Sequence, residues 1–86
     1  MNKREIERIV NEKDWAARVA SAIVYNDRNL LIALSKDKVS QVRLIVASSD
    51  LTPIKTLVEL SNDDDIDVRT VAKEKLKKYS KNHLTK

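Results

Sequence analysis

The chain has 86 residues, enough for one small domain and too few for a second core. It has no Cys, which excludes disulfides and favours a reducing compartment, and its longest apolar run, Leu30 to Leu34, is too short to cross a bilayer. With no Gly, one Pro and 35% charged residues, the composition favours helices over hairpins. We therefore expect an unsecreted, all-α cytoplasmic protein with no membrane contact, no cofactor and no metal.

Apolar side chains recur at helical spacing along the whole chain and predict six short helices. In chain order these cover residues 3–11, 14–25, 27–36, 39–48, 52–61 and 66–80. Asp14 and Asp65 are expected to cap the second and sixth helices, and Thr52 before Pro53 is a favourable start for the fifth. We therefore predict one helical domain over residues 1–80, followed by a basic tail, 81–86, that frays.

A repeat of 25 or 26 residues organises these helices into units of two. Its markers are Arg18, Arg43 and Arg69. Aliphatic and acidic residues keep the same spacing from each arginine: Ile6, Leu31 and Leu57 lie twelve before, Ile9, Leu34 and Leu60 nine before, and Glu12, Asp37 and Asp63 six before. Helices of about ten residues are marginal alone in water, so we expect each unit to be held by packing against the next.

The stretch from Asp37 to Ala72 carries the pattern Asp-x4-Val-Arg-x2-Val-Ala-Ser-Ser-Asp-Leu-Thr-Pro-x3-Leu-x2-Leu-Ser-Asn-Asp-x4-Val-Arg-x2-Ala. It resembles the leucine-rich repeat variant, a HEAT-like helical repeat; residues 6–36 follow it more loosely. The resemblance implies a short right-handed alpha-solenoid of about three two-helix repeats. Most HEAT-like proteins are protein-binding surfaces, and some bind or process DNA. The cysteine cluster of the family's founding type has no counterpart here.

The repeated arginines allow two interpretations. A guanidinium fork can pair with a phosphate, or with carboxylates of a neighbouring repeat. Because a carboxylate recurs with each arginine, we favour the structural interpretation. The acidic residues from Asp63 to Glu74 also match the ligand spacing of a calcium loop, but Val68 occupies the position that needs Gly. Val68 is instead a predicted core residue, and the acidic side chains suit a helix N-terminus.

The net charge of +4 is unevenly distributed, because residues 73–86 hold six basic side chains and one acidic one. On a helix, Lys73 and Lys77 share a face, as do Lys77 and Lys81, and Lys78 adds to the same basic end. Non-specific binding of a nucleic-acid backbone through these four lysines is the alternative function. Compensation of the helix dipole and solubility also explain them, and we favour that interpretation.

The leading hypothesis is a non-catalytic protein-binding module that acts as a small adaptor, regulator or inhibitor. The repeat aligns Arg4 with Asn29 and Lys55, and Arg8 with Glu59, on one side of the stacked helices. By the HEAT-like resemblance, such a polar ridge would face a partner protein, whose identity stays open, as does the oligomeric state. No pairing of a nucleophile with a base is found, so we expect no enzyme.

Three single residues were assigned minor roles. Trp15 and Tyr25 are interpreted as core or cap-packing residues rather than binding anchors. His83 lies in the predicted tail without a partner that the repeat would hold in place.

Overall fold

The computed structural model describes the backbone of residues 1–84, and this part of the chain is all helical, with no strand. The six helices are α1 (Lys3–Val10), α2 (Trp15–Tyr25), α3 (Arg28–Leu34), α4 (Ser40–Ser48), α5 (Ile54–Leu60) and α6 (Ile66–Leu84). The all-α prediction is confirmed. Every predicted helix end except the last agrees with the structure to within two residues.

The helix starts follow the predicted capping residues in two cases and depart from them in one. Asp14 accepts a hydrogen bond from the Ala16 N–H at 3.0 Å, and Asp65 accepts one from the Val68 N–H at 3.0 Å. The prediction for Thr52 was wrong, because α5 begins one residue later than Pro53 and Pro53 itself takes the N-cap position. The buried Thr52 hydroxyl instead donates to the Val46 carbonyl at 2.6 Å, and the same carbonyl accepts the Ser49 N–H at 3.2 Å at the end of α4.

A left-handed residue makes the tight connection between α2 and α3. Asn26 ends α2 with φ 43° and ψ 48°, a conformation that Asn tolerates better than other residues with a Cβ. Its side-chain oxygen accepts a hydrogen bond from the Ser49 hydroxyl at 3.0 Å. The turn thus also ties the end of α2 to the end of α4.

The core lies between the helices at the positions that the repeat marks. Its largest fully buried side chains are Leu30, Leu31, Leu34, Val42, Val46, Leu57 and Val68. At the ninth position before each arginine, Ile9, Leu34 and Leu60 are all buried. Among the even helices, α2 packs on α4 and α4 on α6, while α1 packs on α3 in the odd row. The predicted apolar repeat is therefore a repeat of buried positions.

The structure also bears on the predictions for the aromatic residues of α2, for the end of α6 and for the C-terminal tail. Trp15 and Tyr25, the first and last residues of α2, are 42% and 52% exposed, so the core part of their core or cap-packing assignment was wrong; Ile66, the repeat equivalent of Trp15, is 61% exposed as well. Helix α6 continues to Leu84, past the boundary predicted at residue 80. The side chain of His83 and residues 85–86 lie outside the described part of the chain. None of the described helices has both the length and the apolar character needed to span a membrane.

Candidate functional site

A buried ion pair joins the first two-helix layer, α1 and α2, to the second, α3 and α4. The Arg18 Nε donates to Asp37 Oδ2 at 2.7 Å, and its Nη2 donates to Asp37 Oδ1 at 3.0 Å. The third nitrogen, Nη1, donates to the main-chain carbonyl of Glu12. Only 4% of the Arg18 side chain and 6% of the Asp37 side chain are exposed. This is the parallel, bidentate geometry in which a guanidinium holds a carboxylate most firmly.

The second layer is joined to the third, α5 and α6, in the same way. Arg43 Nε and Nη2 donate to the Asp63 carboxylate at 2.8 and 3.0 Å, and Arg43 Nη1 donates to the Asp37 carbonyl at 2.7 Å. Asp37 therefore accepts from Arg18 through its side chain and from Arg43 through its main chain. We call the set Arg18, Asp37, Arg43, Asp63 and Arg69 the arginine ladder. For Arg18 and Arg43 the structural interpretation is confirmed.

Arg69 makes the main-chain contact of this set but, within the described residues, not the carboxylate contacts. Its Nη1 donates to the Asp63 carbonyl at 2.9 Å, just as Arg43 Nη1 donates to Asp37. Within residues 1–81, whose side chains are described, no carboxylate lies against its Nε–Nη2 edge. The Arg69 guanidinium is therefore held at Nη1 like the other two, while in this part of the chain its Nε–Nη2 edge, which we call the open edge, has no carboxylate.

The ladder holds its carboxylates in the ionised form. Burial by itself raises the pKa of Asp37, but hydrogen bonds from Arg18 and the Val39 N–H, together with the charges of Arg18 and Arg43, lower it by more. The net pKa of Asp37 lies below the ordinary carboxyl value. Asp63 follows the same balance, with burial opposed by Arg43 and by the Asp65 N–H, and its pKa is also lowered.

The five residues predicted to bind a protein all lie at the surface of the odd-numbered helices. Arg4 and Arg8 belong to α1, Asn29 to α3, and Lys55 and Glu59 to α5, and each is exposed. A salt bridge of 3.8 Å between Lys36 and Glu59 joins the end of α3 to α5. The structure therefore brings the predicted residues to one class of helix, but gives no partner that would test their role.

Apolar side chains that the sequence interpretation missed lie among these polar ones. Ile32 is 38% exposed, Ile54 58% and Val58 48%. Ile32 and Val58 occupy equivalent repeat positions, and Ile54 and Val58 lie one turn apart on α5. We call the eight residues the odd-helix face: Arg4, Arg8, Asn29, Ile32, Ile54, Lys55, Val58 and Glu59. The apolar spacing does not reveal this exposure, because Ile54 lies three residues before Leu57, the same separation that joins Leu57 to Leu60.

The lysine-rich end is partly exposed and partly used to hold α6. Lys73, Lys77, Lys78 and Lys81 are all exposed on this helix. Lys75, by contrast, is only partly exposed and pairs with Asp50 in the loop after α4. That pair lowers the pKa of Asp50 through the hydrogen bond from Lys75 and its charge. One lysine of the basic stretch is thus a structural contact, and the four predicted ones face solvent.

The acidic run before α6 serves the fold. Asp63 and Asp64 both contact Arg43, at 2.8 and 3.3 Å. Asp65 caps α6, and Val68 is fully buried, as predicted for a core residue.

An open cleft of about 540 Å³ lies beside the ion pair of Arg18 and Asp37. Its lining consists of Val10, Asn11, Glu12, Lys13, Arg18, Ala33, Lys36, Asp37 and Lys38. In the described residues, this lining contains no Ser, Thr, Cys or His side chain. Arg18 and Asp37 are already engaged with each other, so the cleft offers mainly lysine ammonium groups at its rim.

Comparison of the chain with protein-family models, with curated proteins and with solved structures finds no match.

Proposed function

We propose that the protein is a non-catalytic protein-binding module built as a short right-handed alpha-solenoid of three HEAT-like repeats. Two features support the architecture. The even helices pack in succession, and Arg18 and Arg43 bind the carboxylate of the following layer at nearly the same distances. Layers of this kind present rows of equivalent side chains, which suit them to contact another protein.

The observation that carries the proposed function is the exposure of three large apolar side chains, Ile32 on α3 and Ile54 and Val58 one turn apart on α5. Large apolar side chains grouped at a surface and bordered by polar ones are typical of protein interfaces, which have an apolar centre and a polar rim. Here Lys55 and Glu59 lie next to Ile54 and Val58 in sequence and supply that rim.

The charge of this face indicates the chemistry of the partner. At α1 the odd-helix face contributes Arg4 and Arg8 and no acidic side chain. Complementary potential steers association and selects partners. We therefore expect a protein that offers an apolar anchor to α5 and acidic side chains to α1, and an adaptor, regulator or inhibitor acting in the cytoplasm would use such a contact.

The test is a quantitative affinity capture in which the immobilised protein is exposed to a native lysate. Wild type, the double variant Ile54→Ser/Val58→Ser, Lys55→Glu and the control Ile66→Ser are compared side by side. Ile66 is as exposed as Ile54 but lies on α6, so its replacement removes elsewhere about the apolar area that Ile54 alone contributes to the double variant. We expect a protein retained by wild type and by Ile66→Ser, and lost from the other two. A set of captured proteins that is the same for all four baits contradicts the proposal.

The second candidate is non-specific binding of a nucleic-acid backbone through Lys73, Lys77, Lys78 and Lys81. It is favoured by the exposure of all four lysines on one helix, where Glu74 is the only acidic side chain from residue 73 to 81. Binding of this kind weakens steeply with salt, because each neutralised phosphate releases counterions. A salt series with a labelled DNA duplex tests it, and replacing the four lysines by Gln should abolish binding. No complex at low salt rules it out.

A further inference from the structure

We propose that Arg69 is a preformed binding site for an aspartate side chain of a partner protein. The site is the Nε–Nη2 edge of its guanidinium, at the end of the arginine ladder. It is separate from the odd-helix face, so the two proposals can fail independently.

The molecule contains two sites of the same kind that are already occupied by an aspartate carboxylate. In Arg18 and in Arg43, Nη1 donates a hydrogen bond to a main-chain carbonyl. Nε and Nη2 donate to the two oxygens of one carboxylate at 2.7 to 3.0 Å. Arg69 has the first half of this arrangement, since its Nη1 is held by Asp63. Because the fork is already oriented, a carboxylate arriving at its open edge would order little that is not ordered already, which favours binding.

The residues around the open edge differ from their equivalents in the other layers. Where the first layers have Val19 and Leu44, the third has exposed Thr70. Where they have buried Ala22 and Ala47, it has exposed Lys73. Beyond Asp65 and Asp67 at its start, α6 is therefore polar and basic on this side, and Lys77 extends this basic side one turn further along the helix. Such a surface complements an acidic segment and offers little to an apolar one.

The filled sites also indicate which anion fits. Asp37 accepts the Val39 N–H at 3.0 Å, and Asp63 accepts the Asp65 N–H at 2.9 Å. In both, the carboxylate lies in a turn that bonds the backbone two residues on, which fixes its plane toward the guanidinium. A partner aspartate in a turn of this kind would reproduce the contact. We infer a carboxylate rather than a phosphate because both occupied forks hold one.

Nuclear magnetic resonance can follow each arginine separately through its Nε–H signal in the intact protein. The probe is a short soluble peptide of alternating aspartate and serine, titrated at low salt. We expect the Arg69 Nε–H signal to shift saturably, while those of Arg18 and Arg43 stay in place because their edges are occupied. An Arg69 signal that does not move under peptide excess overturns the proposal.

Matched variants distinguish bidentate hydrogen bonding by the Arg69 guanidinium from the effect of its positive charge alone. Arg69→Lys keeps the positive charge and removes the bidentate edge, so the peptide Kd should rise by about three- to tenfold. Arg28→Lys makes the same change at an exposed arginine of α3 and should leave the Kd unaltered. Equal affinities for the two variants would refute a role for the Arg69 fork.

A short oligothymidylate serves as the competing probe. If it shifts the Arg69 signal at lower concentration than the aspartate peptide does, the site belongs to a nucleic-acid backbone and the proposal is wrong. If the peptide acts first, the carboxylate assignment is supported.

Discussion

Arg18 and Asp37 lie nineteen residues apart in the chain and are joined by two parallel hydrogen bonds of 2.7 and 3.0 Å. Neither belongs to the other's repeat: the arginine is in α2 and the aspartate follows α3. The pair therefore links the first helix pair, α1 and α2, to the second, α3 and α4. Both side chains are almost wholly removed from solvent, so the two charges depend on each other for stability.

The first prediction concerns the loss of one charge from this pair. Asp37→Asn should lower the free energy of unfolding by about 3–5 kcal/mol, because it leaves Arg18 buried without a counter-charge. Urea denaturation followed by circular dichroism measures the change. Glu59→Gln, which breaks the exposed contact with Lys36, is the control and should cost less than about 1 kcal/mol.

A double replacement distinguishes loss of the attraction between Arg18 and Asp37 from the cost of leaving Arg18 buried without a counter-charge. Arg18→Met with Asp37→Leu removes both ions and fills the space with apolar groups. It should regain most of the stability lost in Asp37→Asn, because an apolar pair needs no compensation for burial. A double variant no more stable than Asp37→Asn would mean that the hydrogen bonds to Glu12 and Val39 carry the docking instead.

The sequence could predict which positions are equivalent and buried, but only part of the contacts between the helix pairs. The spacing of Arg18, Arg43 and Arg69 located equivalent buried positions, since helical periodicity and burial follow directly from the pattern of apolar residues. Arg18 and Arg43 each pair with the carboxylate that follows the next odd helix, in line with the favoured interpretation, but the bidentate geometry depends on tertiary packing that spacing within one unit does not fix. The open edge of Arg69 follows only from the structure.

The errors have the same origin. A helix of seven residues such as α5 has apolar side chains on more than one side, and only its neighbours decide which are buried. Leu57 is fully buried, whereas Val58, the next residue, is 48% exposed. Thr52 looked like a helix cap by local rules, but its hydroxyl donates to the Val46 carbonyl at the end of α4 instead. In both cases a tertiary contact decided the outcome.

The second prediction is a loss of stability in acid. Asp37 and Asp63 have pKa values lowered by folding, so the unfolded chain takes up protons at a higher pH than the native one does. Their contribution is complete above the unfolded carboxyl pKa of about 4 and is lost as the pH falls through the lower folded values. Urea midpoints measured across this range should decline with pH. The decline should be shallower in the Arg18→Met/Asp37→Leu variant, and an equal slope would contradict the assignment to the ladder.

The third prediction compares two arginines that the repeat makes equivalent. Arg43→Ala should destabilise the fold by about 3 kcal/mol or more, since it leaves the Asp63 carboxylate, whose side chain is only 10% exposed, without its counter-charge. Arg69→Ala removes a single hydrogen bond to the Asp63 carbonyl and should cost only about 1 kcal/mol. Thermal and urea unfolding of the two variants measure the difference. Equal losses would show that Arg69 has a structural carboxylate partner after all.

The fourth prediction tests whether the three layers fold as one unit. Leu57 is fully buried on α5, and Leu57→Ala should cost about 2–5 kcal/mol through lost burial and the cavity left behind. Because helices of seven to eleven residues are unstable alone, this loss should lower the protection of buried amides in α2 and α4 as well as in α5. Native-state hydrogen exchange measures that spread. Val58→Ala, one residue away at the surface, is the control and should stay within about 0.5 kcal/mol of wild type. Protection lost from α5 and α6 alone would instead describe layers that unfold one at a time.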